Sequence, residues 1–128
     1  MFLHTRPRGC FGVTLHAAGL VCALAGAACS PGVPGSAEEA RGRELLARHH
    51  CGSCHTIPGV TAAQGHVAVT LESFGRRSYI AGRLPNTDEN LARWLVDPAA
   101  LVPGTQMPAM GVSALDARDM AAYLRSLR

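Results

Sequence analysis

Residues 51–55 read Cys-Gly-Ser-Cys-His, two thiols three positions apart with an imidazole directly behind them. Three chemistries use such a spacing, and each asks for different surroundings: a redox dithiol, half of a structural zinc site, or covalent attachment of a haem. A zinc site needs a second pair of ligands, and the nearby His49, His50 and His66 form no such knuckle. A thioredoxin-like dithiol would follow a strand and open a helix within an alternating strand and helix pattern, and no such pattern follows residue 55. The third chemistry lets each thiol add across one haem vinyl group while the next residue turns its imidazole onto the iron. The motif therefore predicts one covalent haem c on Cys51 and Cys54, with His55 as an axial ligand.

The chain before the motif fits that chemistry. Arg6 and Arg8 precede a mostly apolar run from Phe11 to Ala28, broken by His16 and followed by small residues, the layout of an export signal over residues 1–29. A membrane span would want about 20 apolar residues without an imidazole inside. "AGAACS", residues 25–30, places small residues before Cys29 and suits lipoprotein processing there, although Gly26 stands where a branched aliphatic residue is usual. Three outcomes stay open: a lipid anchor at Cys29, a cleaved soluble form, and an uncleaved anchor. Each puts the domain on the periplasmic side of the cytoplasmic membrane. Export also bears on the thiols, because unpaired cysteines outside the cytoplasm are oxidised unless something consumes them. Cys10 and Cys22 lie in the leader, which leaves Cys51 and Cys54 as the pair in the folded region.

Residues 30–36 read as a flexible tether and 37–128 as one domain. After Cys29 there are ten arginines against nine acidic residues, near neutrality, with no basic stripe for a nucleic-acid partner.

A six-coordinate haem needs a second ligand from among Met107, Met110, Met120, His66, His49 and His50. In "VPGTQMPAMG", residues 102–111, Pro103, Gly104 and Pro108 exclude helix and ladder pairing, so Met107 sits on a stiff loop suited to carrying sulfur to a fixed point. Met110 is the neighbouring alternative and His66 the bis-histidine rival. Met120 falls within a helical stripe, and His49 and His50 read as solvated helix-end residues.

Three helices are expected. The first runs from Ser36 or Ala37 to His50, opened by Ser36 with Glu39 in capping-box spacing, with a thin apolar face of Ala40, Leu45 and Leu46. The second starts after Thr87, has Asp88 and Glu89 in its first turn, carries Leu91, Trp94 and Leu95 on one face, and stops before Pro98. The last starts after Ser113, with Met120, Tyr123, Leu124 and Leu127 as its buried stripe. No stretch alternates well enough to be a strand.

The segments "ARGRELLARHHCGSCHTIPGV", "YIAGRLPNTDENLARWLVDP" and "PGTQMPAMGVSALDARDMAAYLRSL" together resemble a class I cytochrome c, and more narrowly the small c-type haem proteins and fused haem domains associated with haem-copper oxidases. The resemblance spans about Glu38 to Arg128. It implies an all-α cytochrome c fold with three main helices and loops wrapped around one haem, the first and last helices crossing near Gly42 and Tyr123. It also implies electron transfer, with His55 and Met107 on the iron. Where the family usually has Gly-Pro-x-Leu, residues 68–71 read "AVTL". The family uses a backbone carbonyl there to accept the proximal histidine's ring N–H, and Val69 supplies a carbonyl as well as proline does.

The expected haem lining is Ile57, Val60, Val67, Leu71, Phe74, Ile80, Leu84, Leu95 and Val102, a dry pocket that raises the reduction potential. Tyr79, Arg83 and Trp94 are the candidates for contacts to the propionates or haem edge. The expected function is a monomeric carrier of one electron between redox partners such as a terminal oxidase or a membrane electron-transfer complex. The alternatives are a haem subunit bound within a larger oxidase or dehydrogenase, and an enzyme or gas sensor with an open iron site.

Overall fold

The computed structural model describes residues 35–128. The export signal, Cys29 and residues 30–34 of the tether lie outside the described residues. Four helices make up the scaffold: α1 (Ala37–Arg48), α2 (Asp88–Val96), α3 (Pro98–Leu101) and α4 (Ala114–Ser126). None of them is long and apolar enough to cross a membrane.

Local chemistry sets where the helices begin. Ser36 Oγ accepts from Glu39 N at 3.2 Å, Thr87 Oγ1 from Asn90 N at 3.2 Å, and Ser113 Oγ from Asp116 N at 3.1 Å. Each satisfies one amide that the first helical turn leaves unpaired. Asp97 serves two helices at once. It caps the C-terminus of α2, and its Oδ1 accepts from Ala100 N at 3.1 Å to open α3, with Pro98 at the first helical position.

Burial of apolar faces then sets how the helices meet. Alpha1 and α4 cross at Gly42, where a Cβ would lie 2.0 Å from the carbonyl oxygen of Asp119, so the two backbones touch. Ala117 and Ala121 are buried on α4 and keep that face low, while Leu45, Leu46, Met120 and Leu124 fill the space beside the crossing. The buried Asp119 carboxylate is paired with Arg41, one residue from the crossing glycine. The expected face of α1 needs one correction: Ala40 is exposed, and Gly42 takes its place against α4. Tyr123 does not sit at the crossing, which centres on Asp119 and Met120 one turn earlier.

The segment between α1 and α2 contains a feature absent from the sequence expectation. Tyr79–Ile80 and Leu84–Pro85 form a two-stranded antiparallel pair, β1 and β2, with Tyr79 opposite Pro85 and Ile80 opposite Leu84. Ala81 and Gly82 turn the chain with φ of 49° and 67°, the left-handed pair that suits a tight hairpin. Asn86, just beyond, donates through Nδ2 to Phe74 O at 3.1 Å and Arg77 O at 2.9 Å, and its own carbonyl accepts from Arg125. One residue thus fastens the turn at Phe74–Arg76 to the start of α2 through its side chain and to α4 through its main-chain oxygen.

Tyr123 reaches back from α4 and donates its hydroxyl to Pro58 O at 2.6 Å, fastening α4 to the loop behind the Cys51–His55 motif. Burial raises the phenol above its ordinary pKa, with the Arg43 charge opposing. A raised folded-state value favours the neutral phenol, so this contribution is whole below the unfolded value of about 10 and fades as pH rises past it. Tyr123→Phe should therefore cost about 1 kcal/mol at neutral pH. The gap from the parent should narrow above about pH 10 in denaturant titrations; a gap independent of pH would mean that the hydroxyl is not what fastens the loop.

Candidate functional site

Alpha1 ends at Arg48 with His49 as its C-cap, and His50 adopts a left-handed conformation with φ 55° that turns the chain into a short 3-10 turn at Cys51–Ser53. His55 N and Cys54 N both donate to Cys51 O, at 3.1 and 3.3 Å, which folds the motif into one compact turn. The loop at 63–71 wraps it from outside. Gly65 N donates to Gly52 O at 3.0 Å and His55 O at 3.2 Å, Ala68 N to Cys54 O at 2.9 Å, and Leu71 N to Thr56 O at 2.8 Å. Two glycines permit this closeness: a Cβ on Gly52 would lie 2.5 Å from the Ala63 backbone, and one on Gly65 2.5 Å from the Cys54 carbonyl carbon.

The thiols of Cys51 and Cys54 are free and half-buried. Burial pushes the Cys51 thiol up, and the nearby Cys54 adds to that direction. His55 is oriented by a backbone atom, its Nδ1 lying 2.7 Å from Val69 O. A carbonyl can only accept, so Nδ1 carries the hydrogen and Nε2 keeps its lone pair for a metal. The departure at residues 68–71 thus leaves this bond in place.

The expected sulfur ligand lies on the loop between α3 and α4. Met107 is half-buried there and packs against the core, its amide donating to Thr105 Oγ1 at 3.3 Å. Met110 is exposed, and Met120, at 0% exposure, is ordinary core between helices. His66 and His50 are exposed on the surface. His49 is not simply solvated: it is half-buried, and its Nδ1 lies 3.2 Å from Met110 O. No local pattern could have revealed that contact, because its partner is a main-chain oxygen 61 residues away.

Of the expected lining, Ile57, Val60, Leu71, Phe74, Ile80, Leu95 and Val102 are buried and Leu84 half-buried. Val67 is exposed at 83% on the loop that wraps the motif. The three residues expected at the propionates or haem edge lie in different settings. Trp94 is buried on α2 at 7% exposure, whereas Tyr79, at 57%, and Arg83 lie on the exposed side of the hairpin. Two free thiols, one imidazole with an uncommitted Nε2, a thioether and an apolar lining are a donor set that fits covalent haem. They do not fit a zinc site, since among the described residues no three His, Cys, Asp or Glu side chains gather as metal ligands.

Comparison with known proteins agrees with that chemistry. The sequence model of the family described as cytochrome c matches residues 39–128. Cytochrome c oxidase subunit 2 of Alkalihalophilus pseudofirmus is 40% identical over 89 residues, covering 69% of this chain and 25% of that subunit. Cytochrome c-type cyt cy of Rhodobacter capsulatus is 35% identical over 86 residues, covering 60% of this chain and 43% of the relative. Cytochrome c-552 of Bradyrhizobium diazoefficiens is 32% identical over 114 residues, covering 89% of this chain and 97% of the relative. The chain thus spans only a quarter of the oxidase subunit and nearly the whole of the small cytochrome.

Proposed function

Since the chain belongs to the cytochrome c family and carries covalent haem c, we propose that it is an electron carrier using Cys51 and Cys54 for attachment and His55 and Met107 as axial ligands. The observation that carries this reading is the 2.7 Å contact from His55 Nδ1 to Val69 O, directly behind two free thiols. It orients the imidazole and leaves Nε2 as the only nitrogen able to bind iron. Bound haem supplies a one-electron iron couple. The protein's part is to hold, shield and tune. The two cysteines fix the position of the group through thioether bonds. Val69 O fixes the tautomer of His55 and raises its basicity. The thioether of Met107 is a soft ligand that favours the ferrous state and raises the potential. Phe74, Trp94, Leu95 and Val102 keep water away, which acts in the same direction.

Likeness to an oxidase subunit and to small cytochromes supports a respiratory role, with a terminal oxidase or a membrane electron-transfer complex as partner. The leader and the family membership support action outside the cytoplasm. A second reading, a haem subunit resident in a larger oxidase, is favoured by the identity with a domain that is part of such a subunit; co-purification with an oxidase under mild detergent tests it.

Optical spectra of the holoprotein test the ligand assignment. The ferric protein should be low-spin with a weak sulfur-to-iron charge-transfer band. Met107→Ala should remove that band and lower the reduction potential by on the order of 0.1 V or more, within the range of about 0.8 V that axial ligation spans. An unchanged spectrum would transfer the role to Met110 or His66.

A further inference from the structure

The loop that bears Met107 is held by few bonds. Its own hydrogen bonds are local: Thr105 N to Val102 O at 3.1 Å and Met107 N to Thr105 Oγ1 at 3.3 Å. Gly104 and Gly111, with φ of 83° and 68°, give it pivots at both ends. Buried Val112 secures the end that enters α4. Among the described residues, the one hydrogen bond that joins residues 103–112 to a distant part of the chain is His49 Nδ1 to Met110 O, at 3.2 Å.

The position of His49 gives that bond its meaning. His49 is the C-cap of α1, two residues before Cys51, so it stands on the rigid element that delivers the attachment motif. Met110 lies three residues after Met107. Because the carbonyl can only accept, His49 Nδ1 must carry a hydrogen, and the bond survives in both the neutral and the charged imidazole.

We propose that His49 is a positioning residue for the axial sulfur, latching the Met107 loop to the end of α1 so that the two sides of the iron clamp are held in register. The inference rests on Met107 being the ligand. His49 itself does not touch iron. The latch lowers the fraction of molecules whose loop has swung away, and an external ligand for the sixth position senses that fraction directly, since its apparent affinity scales with the population of the open form.

The test uses ferric holoprotein titrated with imidazole. His49→Leu keeps the branch at the position of Nδ1 but replaces the donor by a methyl group. Loss of one ordinary hydrogen bond should make imidazole bind roughly three- to tenfold more tightly. His49→Asn places an amide N–H at that same branch and should return the affinity to near the parent value. Met107→Ala should bind imidazole most tightly of all and lack the charge-transfer band. Parent-like affinity in His49→Leu, or a failure of His49→Asn to differ from it, overturns the latch. A charge-transfer band retained in Met107→Ala overturns the ligand assignment instead, so the two failures are distinct. Should His49→Leu not accumulate, His49→Ser, whose hydroxyl falls short of the carbonyl, carries the same expectation.

Discussion

Exported protein carrying Cys51→Ala together with Cys54→Ala should contain no covalently bound haem and should fail to fold. The two thiols are the only cysteines among the described residues, and each thioether needs one of them. Loss of both removes every covalent link, so denaturing electrophoresis with haem staining should show no signal and the intact mass should equal that of the polypeptide alone. The folding consequence follows from size. The three main helices have 12, 9 and 13 residues, at or below the length of about 12–15 at which an isolated helix is marginal in water. Their stability therefore comes from packing, to which a covalently held macrocycle would add apolar contact area. Far-ultraviolet circular dichroism should show most helix lost. Covalent haem persisting in the double variant would mean that attachment uses another residue, and the motif would lose its assigned role.

Gly42→Ala should be strongly destabilising, although it lies outside the haem site. A new Cβ would meet Asp119 O at 2.0 Å, Asp119 C at 2.5 Å and Met120 N at 3.0 Å, all main-chain atoms that cannot turn aside. The helices must part, which loosens Leu45, Leu46 and Leu124 and pulls Arg41 away from the buried Asp119 carboxylate. Overpacking of this kind costs about 3 kcal/mol or more, against the roughly 1 kcal/mol that alanine regains in helix propensity. For a domain of this length the thermal midpoint should fall by roughly 10 °C or more. A shift of only a few degrees would show that the crossing can widen freely.

What could be read in the sequence was whatever depends on near neighbours. Ser36, Thr87 and Ser113 cap their helices as expected because a cap needs only an amide three residues ahead. The stripe on α4 was legible from its period, except that the small residues Ala117 and Ala121 give no hydrophobic signal although they permit the close crossing. Ala40 misled for the converse reason: its spacing suited the core, but which face of α1 docks is decided by Gly42 on contact with another helix. The hairpin at Tyr79–Pro85 escaped because two residues are too few to show alternation and Ala-Gly is a weak turn signal. Tyr79 and Arg83 were chosen for chemistry that suits propionates, and both lie exposed on the hairpin, where such donors stay open to an outside group. At His49 the local reading recognised a helix end and could not foresee the distant carbonyl.

The partner of His55 is a main-chain oxygen, and the side chain that comes with it faces water at 66% exposure. Residue 69 is therefore free to change its side chain without removing the carbonyl that orients the imidazole of His55. Were His55 to hold the iron as proposed, natural variation there would reshape the outer surface of the loop and leave the imidazole's acceptor unchanged, two properties that a side-chain acceptor would have bound to a single codon.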